Sequence, residues 1–509
     1  MSRYTLKQIA AISTALMMGM TAGSADALGW NSKTEKITLR PSDADSRVFE
    51  GWGTSLCWWA NRLGYSDVLA QKSADLFFGN EGLRLNIMRY NIGGGDDPAH
   101  DHITRTDSEV PGWLKWSEEE GRFVYDYTAD HNQLNVLDRA VKACGDNALV
   151  EVFSNSPPYF MTVSGCSSGA VNPSDTNLRE ECYQAFAEYL VHVTDYIQHE
   201  LDIPVVSLSP MNEPDTDYWR AMSDKQEGCH LDPGKVQSGV IEAVADALAN
   251  SQSTNVIIAA SDETSPIKQV QEYYAYTTRA QMAIGRINTH SYIEDGRKAL
   301  GKLARQQDFA LWMSEVDGSG VAGDNAGEMG CALWLGQKII ADLNELRPTA
   351  WVTWQVVDNH ISRDGYNGNR DYGMVDVNQG FWGVAVADHD NQEIILTQKY
   401  YGMGQFTRFI RPGSRLIPCT QDTIAAYDEQ NQQLVIVSVN ASGHEKQLRT
   451  DLSAFDVSHA QARGFRTSGS MQEGEQWADI GTAEVTRKGF EATLKPNSIT
   501  TWVLDGVQP

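Results

Sequence analysis

Short apolar runs and amphipathic stretches alternate along most of the chain. Runs rich in apolar and β-branched residues, too short for helices, read as buried strands at 51–55, 84–89, 149–153, 205–209, 256–260, 286–290, 310–314 and 350–354. Between several of them apolar residues recur at helical spacing, over 66–78, 133–144, 180–199, 235–249 and 328–346. Eight strands alternating with helices predict an α/β fold, a (β/α)8 TIM barrel. An open doubly wound sheet competes, but it usually carries a glycine-rich turn after its first strand, and the sequence has none there. From about residue 411 the rhythm shortens to alternating strands. Asp428-Glu429-Gln430-Asn431 marks a hairpin there, and the tail reads as a C-terminal β-sandwich side domain. The predicted division is a leader at 1–27, a segment at 28–48 that joins the β domain, the barrel at 49–410 and the sandwich at 411–509.

Two of these strands run into glutamates. Val205-Val206-Ser207-Leu208-Ser209 leads through Pro210 and Met211 to Asn212-Glu213-Pro214, and Pro214 stops ladder pairing and favours an extended backbone at Glu213. Leu311-Trp312-Met313-Ser314 runs into Glu315. Counted along the barrel these are strands four and seven, whose carboxyl ends face each other across the mouth where α/β barrels place their chemistry. Paired carboxylates suit glycosidic bond cleavage, one delivering a proton to the leaving oxygen and the other meeting the anomeric carbon. A salt-bridge role explains either glutamate alone; the pair on those two strands favours catalysis. Other polar or aromatic residues close the remaining strands: Arg89 after strand two, Asn155 after strand three, His290 and Tyr292 after strand six, Trp354 after strand eight, and Trp58 after strand one. Arg89 beside Glu315 would hold that carboxylate ionised.

Composition narrows the partners. A formal net charge of −26 argues against nucleic acid and against anionic membrane surfaces, and suits a neutral poly- or oligosaccharide. Fourteen Trp and nineteen Tyr supply faces that stack on sugars, although most such rings serve a core. Arg3 and Lys7, the apolar run from Ile9 to Met20 and Ala25-Asp26-Ala27 form a secretory signal pattern, which predicts a secreted or periplasmic protein with no membrane insertion after cleavage. Seven cysteines leave at least one thiol outside any internal disulfide, and no CxxC spacing suggests zinc. No cofactor or metal is expected, and a monomer is the default.

Gly165-Cys166-Ser167-Ser168-Gly169 fits the GxSxG pattern of an esterase, but it lies between a Pro-Pro bend and Pro173 rather than on a strand-to-helix turn. His100-Asp101-His102 lacks a further ligand cluster nearby and reads as a solvated loop. Asp388-His389-Asp390-Asn391 lacks the glycine and closing Glu of a calcium loop and reads as a turn. The long insertion at 91–130 would lie over the active face.

With both glutamates placed, the chain resembles glycoside hydrolase family 30, of the retaining clan A hydrolases, from about Glu50 to Arg411. The likeness is carried by EGWGTSLCWWA from Glu50, LNIMRYNIGG from Leu85, SNSPPYFM from Ser154, NEP from Asn212, LWMSE from Leu311 and KYYGMGQFTRFIRPG from Lys399. Within that family QEGCH from Gln226, ASDE from Ala260, INTHSY from Ile287 and RPTAWVTWQ from Arg347 are similar to the endo-β-1,6-galactanases. The resemblance implies cleavage of β-1,6-linked galactan with retention, Glu213 as acid/base and Glu315 as nucleophile. It also implies Asn212 on the sugar 2-hydroxyl and Tyr292 orienting the nucleophile. The alternatives are other family activities (on β-1,6-glucan, xylan or a glucosyl lipid) or a non-catalytic carbohydrate-binding protein on the same scaffold. The insertion at 96–130 departs from the family pattern and leaves endo against exo action open.

Overall fold

Eight parallel strands close a barrel in chain order: β1 (Gly51–Ser55), β2 (Ile87–Asn91), β3 (Leu149–Phe153), β4 (Val205–Ser209), β5 (Ile257–Glu263), β6 (Ile284–His290), β7 (Ala310–Glu315) and β8 (Ala350–Thr353). β8 pairs with β1, Ala350 opposite Gly51 and Thr353 opposite Thr54, so no edge is left open. The structure, a computed structural model, describes residues 34–104, 108–317, 329–362 and 382–509. The expected leader at 1–27 lies outside them. Among the described residues no helix is long and apolar enough to cross a membrane.

The helical pattern is met by Asp67–Ser73, His131–Cys144, Tyr183–Asp195, Lys235–Ala249 and Met329–Glu345. Ser66 caps the first of these by accepting from Leu69 N at 3.2 Å. Pro266–Ala275 and Arg297–Gln306, between β5, β6 and β7, escape a reading by apolar periodicity. Arg297–Gln306 buries little apolar surface beyond Leu300, Leu303 and Ala304.

Several strand ends differ from the predicted ones. β2 starts three residues later than expected because Arg84 turns the chain with φ +59°, and it continues past Arg89 to Asn91. Arg89 therefore lies within its strand instead of closing it. β5 runs on to Glu263 through a register shift between Ser261 and Glu263, which brings Asp262 into the barrel wall. His290 is the last residue of β6, and Trp354 stands one residue beyond β8.

The C-terminal part is built of β-sheet. A six-stranded sheet holds the expected hairpin, Thr423–Asp428 against Gln433–Asn440, and a three-stranded sheet faces it. The strand Thr34–Thr38 completes the smaller sheet by pairing in parallel with Lys446–Asp451. Ile37, Leu448, Phe490 and Leu494 from one sheet share a core with Ile417, Leu434, Ile436 and Trp502 from the other. Met403 and Phe406, on the helix Gln398–Thr407, join the barrel core to Val439 and Ile499 of the larger sheet. All seven cysteines are free thiols.

Candidate active site

Glu213 stands four residues beyond the end of β4, not on it. Its φ is +47°, left-handed rather than the extended backbone expected before proline. Backbone contacts hold this turn. Glu213 N donates to Asp262 O at 2.9 Å, and Glu213 O accepts from Thr216 Oγ1 at 2.8 Å and Trp219 Nε1 at 3.1 Å. Gly228 allows that arrangement, since a Cβ there would fall about 2.1 Å from the Trp219 ring. The Glu213 carboxylate accepts the Tyr218 hydroxyl on Oε2 and faces His290 Nδ1 at 3.0 Å on Oε1.

Glu315 ends β7 and meets the same histidine. Its Oε1 accepts from Tyr292 OH at 3.0 Å and lies 3.6 Å from His290 Nδ1, while Arg89 Nη1 stands 3.1 Å from Oε2. One oxygen of Glu213, one of Glu315 and a ring nitrogen of His290 all lie within 4.8 Å of one another. Both carboxylates are nearly buried, at 7% and 4% exposure.

Beneath them the barrel interior is polar where such barrels are usually filled with branched apolar side chains. Arg89 (β2) reaches Glu151 (β3) through Nε at 2.9 Å and Asp262 (β5) through Nη2 at 3.2 Å. Glu151 also accepts from Asn288 at 2.9 Å, from Ser207 at 2.9 Å and from Arg286. Asp262 takes the hydroxyls of Ser209 and Ser314 and lies 3.6 Å from His290 Nε2. Glu151, Asp262, Arg286, Asn288 and Tyr218 were not singled out from sequence. Inward-facing alternation along the strands was the available signal, and a charged residue there reads against the usual rule for cores.

Burial disfavours every charge here, so the neighbours decide. For His290, burial opposes the cation but Glu315, Asp262 and Glu213 outweigh it and push its pKa up to about 10. Asp262 is pushed up by burial, yet Arg89 and His290 hold it well below the usual carboxylate range. Burial raises Glu315, with Glu213 and Asp262 adding to the effect and His290 and Arg89 opposing it. Arg89 lowers the Glu315 carboxyl, but burial outweighs it and the net shift is upward. Burial and the two glutamates also raise the Tyr292 phenol, which stays a donor.

The other expected residues are buried to a similar degree. Asn212 is buried with no hydrogen-bond partner for its Oδ1. Trp58 and Trp354 meet edge to face at 5.0 Å, beside Cys57, Val110 and Phe153, and expose only 4% and 5% of their surface. Asn155 is buried with its Nδ2 3.7 Å from Cys57 Sγ. Phe153 in turn lies under the Arg89 guanidinium at 4.1 Å, so this cluster braces the arginine. Ser167 is buried in a loop, as expected of a GxSxG match outside a strand-to-helix turn. Asp388-His389-Asp390-Asn391 turns between the antiparallel strands Ala385–Asp388 and Glu393–Leu396.

The sequence profile of O-Glycosyl hydrolase family 30 matches residues 34–288, half of the chain. The chain belongs to this family. It is a glycoside hydrolase, and a carbohydrate is its substrate class. Over 500 residues it is 29% identical to an endo-beta-1,6-galactanase of Hypocrea rufa, covering 92% of this chain and 95% of that one. It is 26% identical to an exo-beta-1,6-galactobiohydrolase of Bifidobacterium longum, covering 96% of this chain and 40% of that longer protein. In fold it matches a family 30 subfamily 8 xylanase of Clostridium acetobutylicum with a TM-score of 0.64, at 19% identity, over 92% of this chain and 99% of that one.

Proposed function

We propose that this family 30 enzyme cleaves β-1,6-linked galactan, such as arabinogalactan side chains, by a retaining double displacement. The observation that carries the mechanism is the approach of Glu213 and Glu315 to within 4.8 Å. Retaining enzymes hold their carboxyl groups ~5–5.5 Å apart, whereas an inverting pair needs ~6.5–9.5 Å to admit a water. Glu315 attacks the anomeric carbon while Glu213 gives its proton to the departing glycosidic oxygen, leaving a glycosyl ester on Glu315. Glu213 then takes a proton from water, whose oxygen attacks the anomeric carbon and frees Glu315.

Charge balance supports one proton on the pair. Arg89, Arg286 and protonated His290 are three cations; Glu151, Asp262, Glu213 and Glu315 are four carboxyls. A buried network is cheapest near neutrality, which leaves one of the four protonated. Arg89 and Tyr292 both donate to Glu315, which suits it to the nucleophile's part. The unsatisfied Asn212 Oδ1 is suited to accept a sugar hydroxyl, the 2-hydroxyl by analogy with the family. Trp58 and Trp354 would close the floor of that subsite.

The galactan assignment leans on two relatives that align with 92% and 96% of this chain, both named for β-1,6-galactosyl cleavage. It is tested by sizing the products from de-arabinosylated arabinogalactan beside β-1,6-glucan and xylan. Release of β-1,6-galacto-oligosaccharides supports it. Turnover confined to glucan or xylan replaces the substrate and leaves the mechanism standing. Export by the N-terminal signal is part of the same proposal, since the substrate is extracellular plant polymer.

A further inference from the structure

A second group of ligating side chains lies in the loops that follow β2 and β3. Asp96, His100 and His102 come from the first loop and Cys166 from the second, with one ligand atom of each within 4.8 Å of the others. His102 Nε2 is 2.7 Å from Asp96 Oδ2 and 3.2 Å from Cys166 Sγ. His100 Nδ1 is 3.3 Å from Asp96 Oδ1, and Cys166 Sγ is 3.8 Å from Asp96 Oδ2. Zinc bond lengths of ~2.0–2.1 Å to nitrogen or oxygen and ~2.3 Å to sulfur give tetrahedral edges of ~3.3–3.7 Å. Three of these four separations match such edges and the His102–Asp96 contact has to open, while His100 meets the other Asp96 oxygen and stays within 4.8 Å of the rest.

The surroundings are those of a ligand set. His102 Nδ1 lies 2.6 Å from Ser223 O, which directs Nε2 at Asp96 and Cys166, as the outer hydrogen bond of a metal-binding histidine does. Asp96 Oδ1 accepts from Ser167 N at 3.1 Å, and the Cys166 sulfur accepts from Met222 N at 3.4 Å. Cys166 is 1% exposed. An ordinary Asp–His pair needs neither a buried thiol nor a second imidazole. One carboxylate and one thiolate neutralise a divalent cation, and a mixed thiolate and imidazole set selects zinc over magnesium or calcium. Sequence alone passed over His100-Asp101-His102 because Cys166 is 64 residues away from His102.

We propose that Asp96, His100, His102 and Cys166 bind one Zn2+ that fastens the loops after β2, β3 and β4 to one another. On binding, the metal exchanges its water ligands for four protein donors, and the Cys166 thiol proton passes to solvent. The β4 loop is held through Ser223 and Met222, and the same loop carries Tyr218 and Trp219, which grip Glu213. The zinc is structural and stands apart from the bond-breaking pair.

Elemental analysis of the intact protein, purified without chelator and dialysed against zinc-free buffer, is the test. About one zinc per chain is expected, with Co2+ replacement giving a thiolate charge-transfer band in the near ultraviolet. C166S should lose that band, and H102A should lose most of the metal, with the melting temperature lower by several degrees and no longer sensitive to chelator. If those variants fail to fold, the stoichiometry and cobalt spectrum of the unaltered protein decide. Folded protein that holds no zinc after dialysis against micromolar Zn2+, or a cobalt spectrum without the thiolate band, overturns the proposal.

Discussion

Arg89 Nε stands 2.9 Å from Glu151 Oε1, side by side on β2 and β3, with both side chains fully buried. Glu151 is the shared counter-charge of Arg89 and Arg286, so it joins the bracing of the active site to the stability of the barrel. Removing one partner of such a buried pair leaves the other uncompensated, at ~3–5 kcal/mol. Glu151→Ala should therefore lower the midpoint of urea unfolding sharply and lose activity with the fold. Glu151→Gln, which keeps hydrogen-bonding capacity, should lose less. Equal stability of Glu151→Ala and the parent would show that the network does not carry this load.

Glu213→Gln and Glu315→Gln should each abolish most turnover on galactan while leaving the circular dichroism spectrum unchanged. Their roles separate by leaving group. Loss of a general acid costs ~10²–10⁴-fold with a sugar leaving group and far less with an activated phenol. Only Glu213→Gln should therefore recover glycosyl-ester formation on a dinitrophenyl glycoside. Near-normal galactan cleavage in either variant would refute the assignment.

Tyr218→Phe tests the grip on Glu213 without touching Glu315. A hydrogen bond to the protonated acid contributes ~0.5–1.5 kcal/mol, so kcat/KM should fall by roughly two- to tenfold. The pH–rate profile should move on the limb that reports Glu213. An unchanged profile together with an unchanged rate would show that this hydroxyl is idle.

Stability should decline from mildly acid to alkaline pH. His290 goes from an ordinary value of 6.5 to about 10 on folding, so the stability it adds is fully present below pH 6.5 and lost as pH rises through 10. Glu263, raised by burial to about 8, acts with the same sign: the folded state keeps a proton that the unfolded chain sheds from about pH 4.5. Asp130, raised by burial to about 7, adds to this over the lower part of the range. Urea midpoints measured from pH 5 to 10 should fall, and Glu263→Gln should flatten the part below pH 8. A midpoint that rises across that range would contradict these environments.

The eight-strand rhythm and the two glutamates were legible in the chain because both are local. Burial of a short apolar run fixes a strand by its own composition, and Pro214 marks an end wherever it falls. The shape of the end was not legible. Glu213 takes a left-handed φ only because Asp262 O, Thr216 and Trp219 hold its backbone, and Asp262 reaches it through a shifted register in β5.

Charge followed the same division. Sequence alone placed Arg89 near Glu315, since both close or line barrel strands by count. The protonation of the pair depends on how far water is excluded and on Glu151, Asp262, Arg286 and His290, which are scattered over three strands. Likewise the identity of each ligand around Cys166 is written in the chain, but their meeting is not. Residue chemistry and periodicity are properties of neighbours in sequence. Desolvation and convergence are properties of neighbours in space, and only the closed barrel with its loops supplies them.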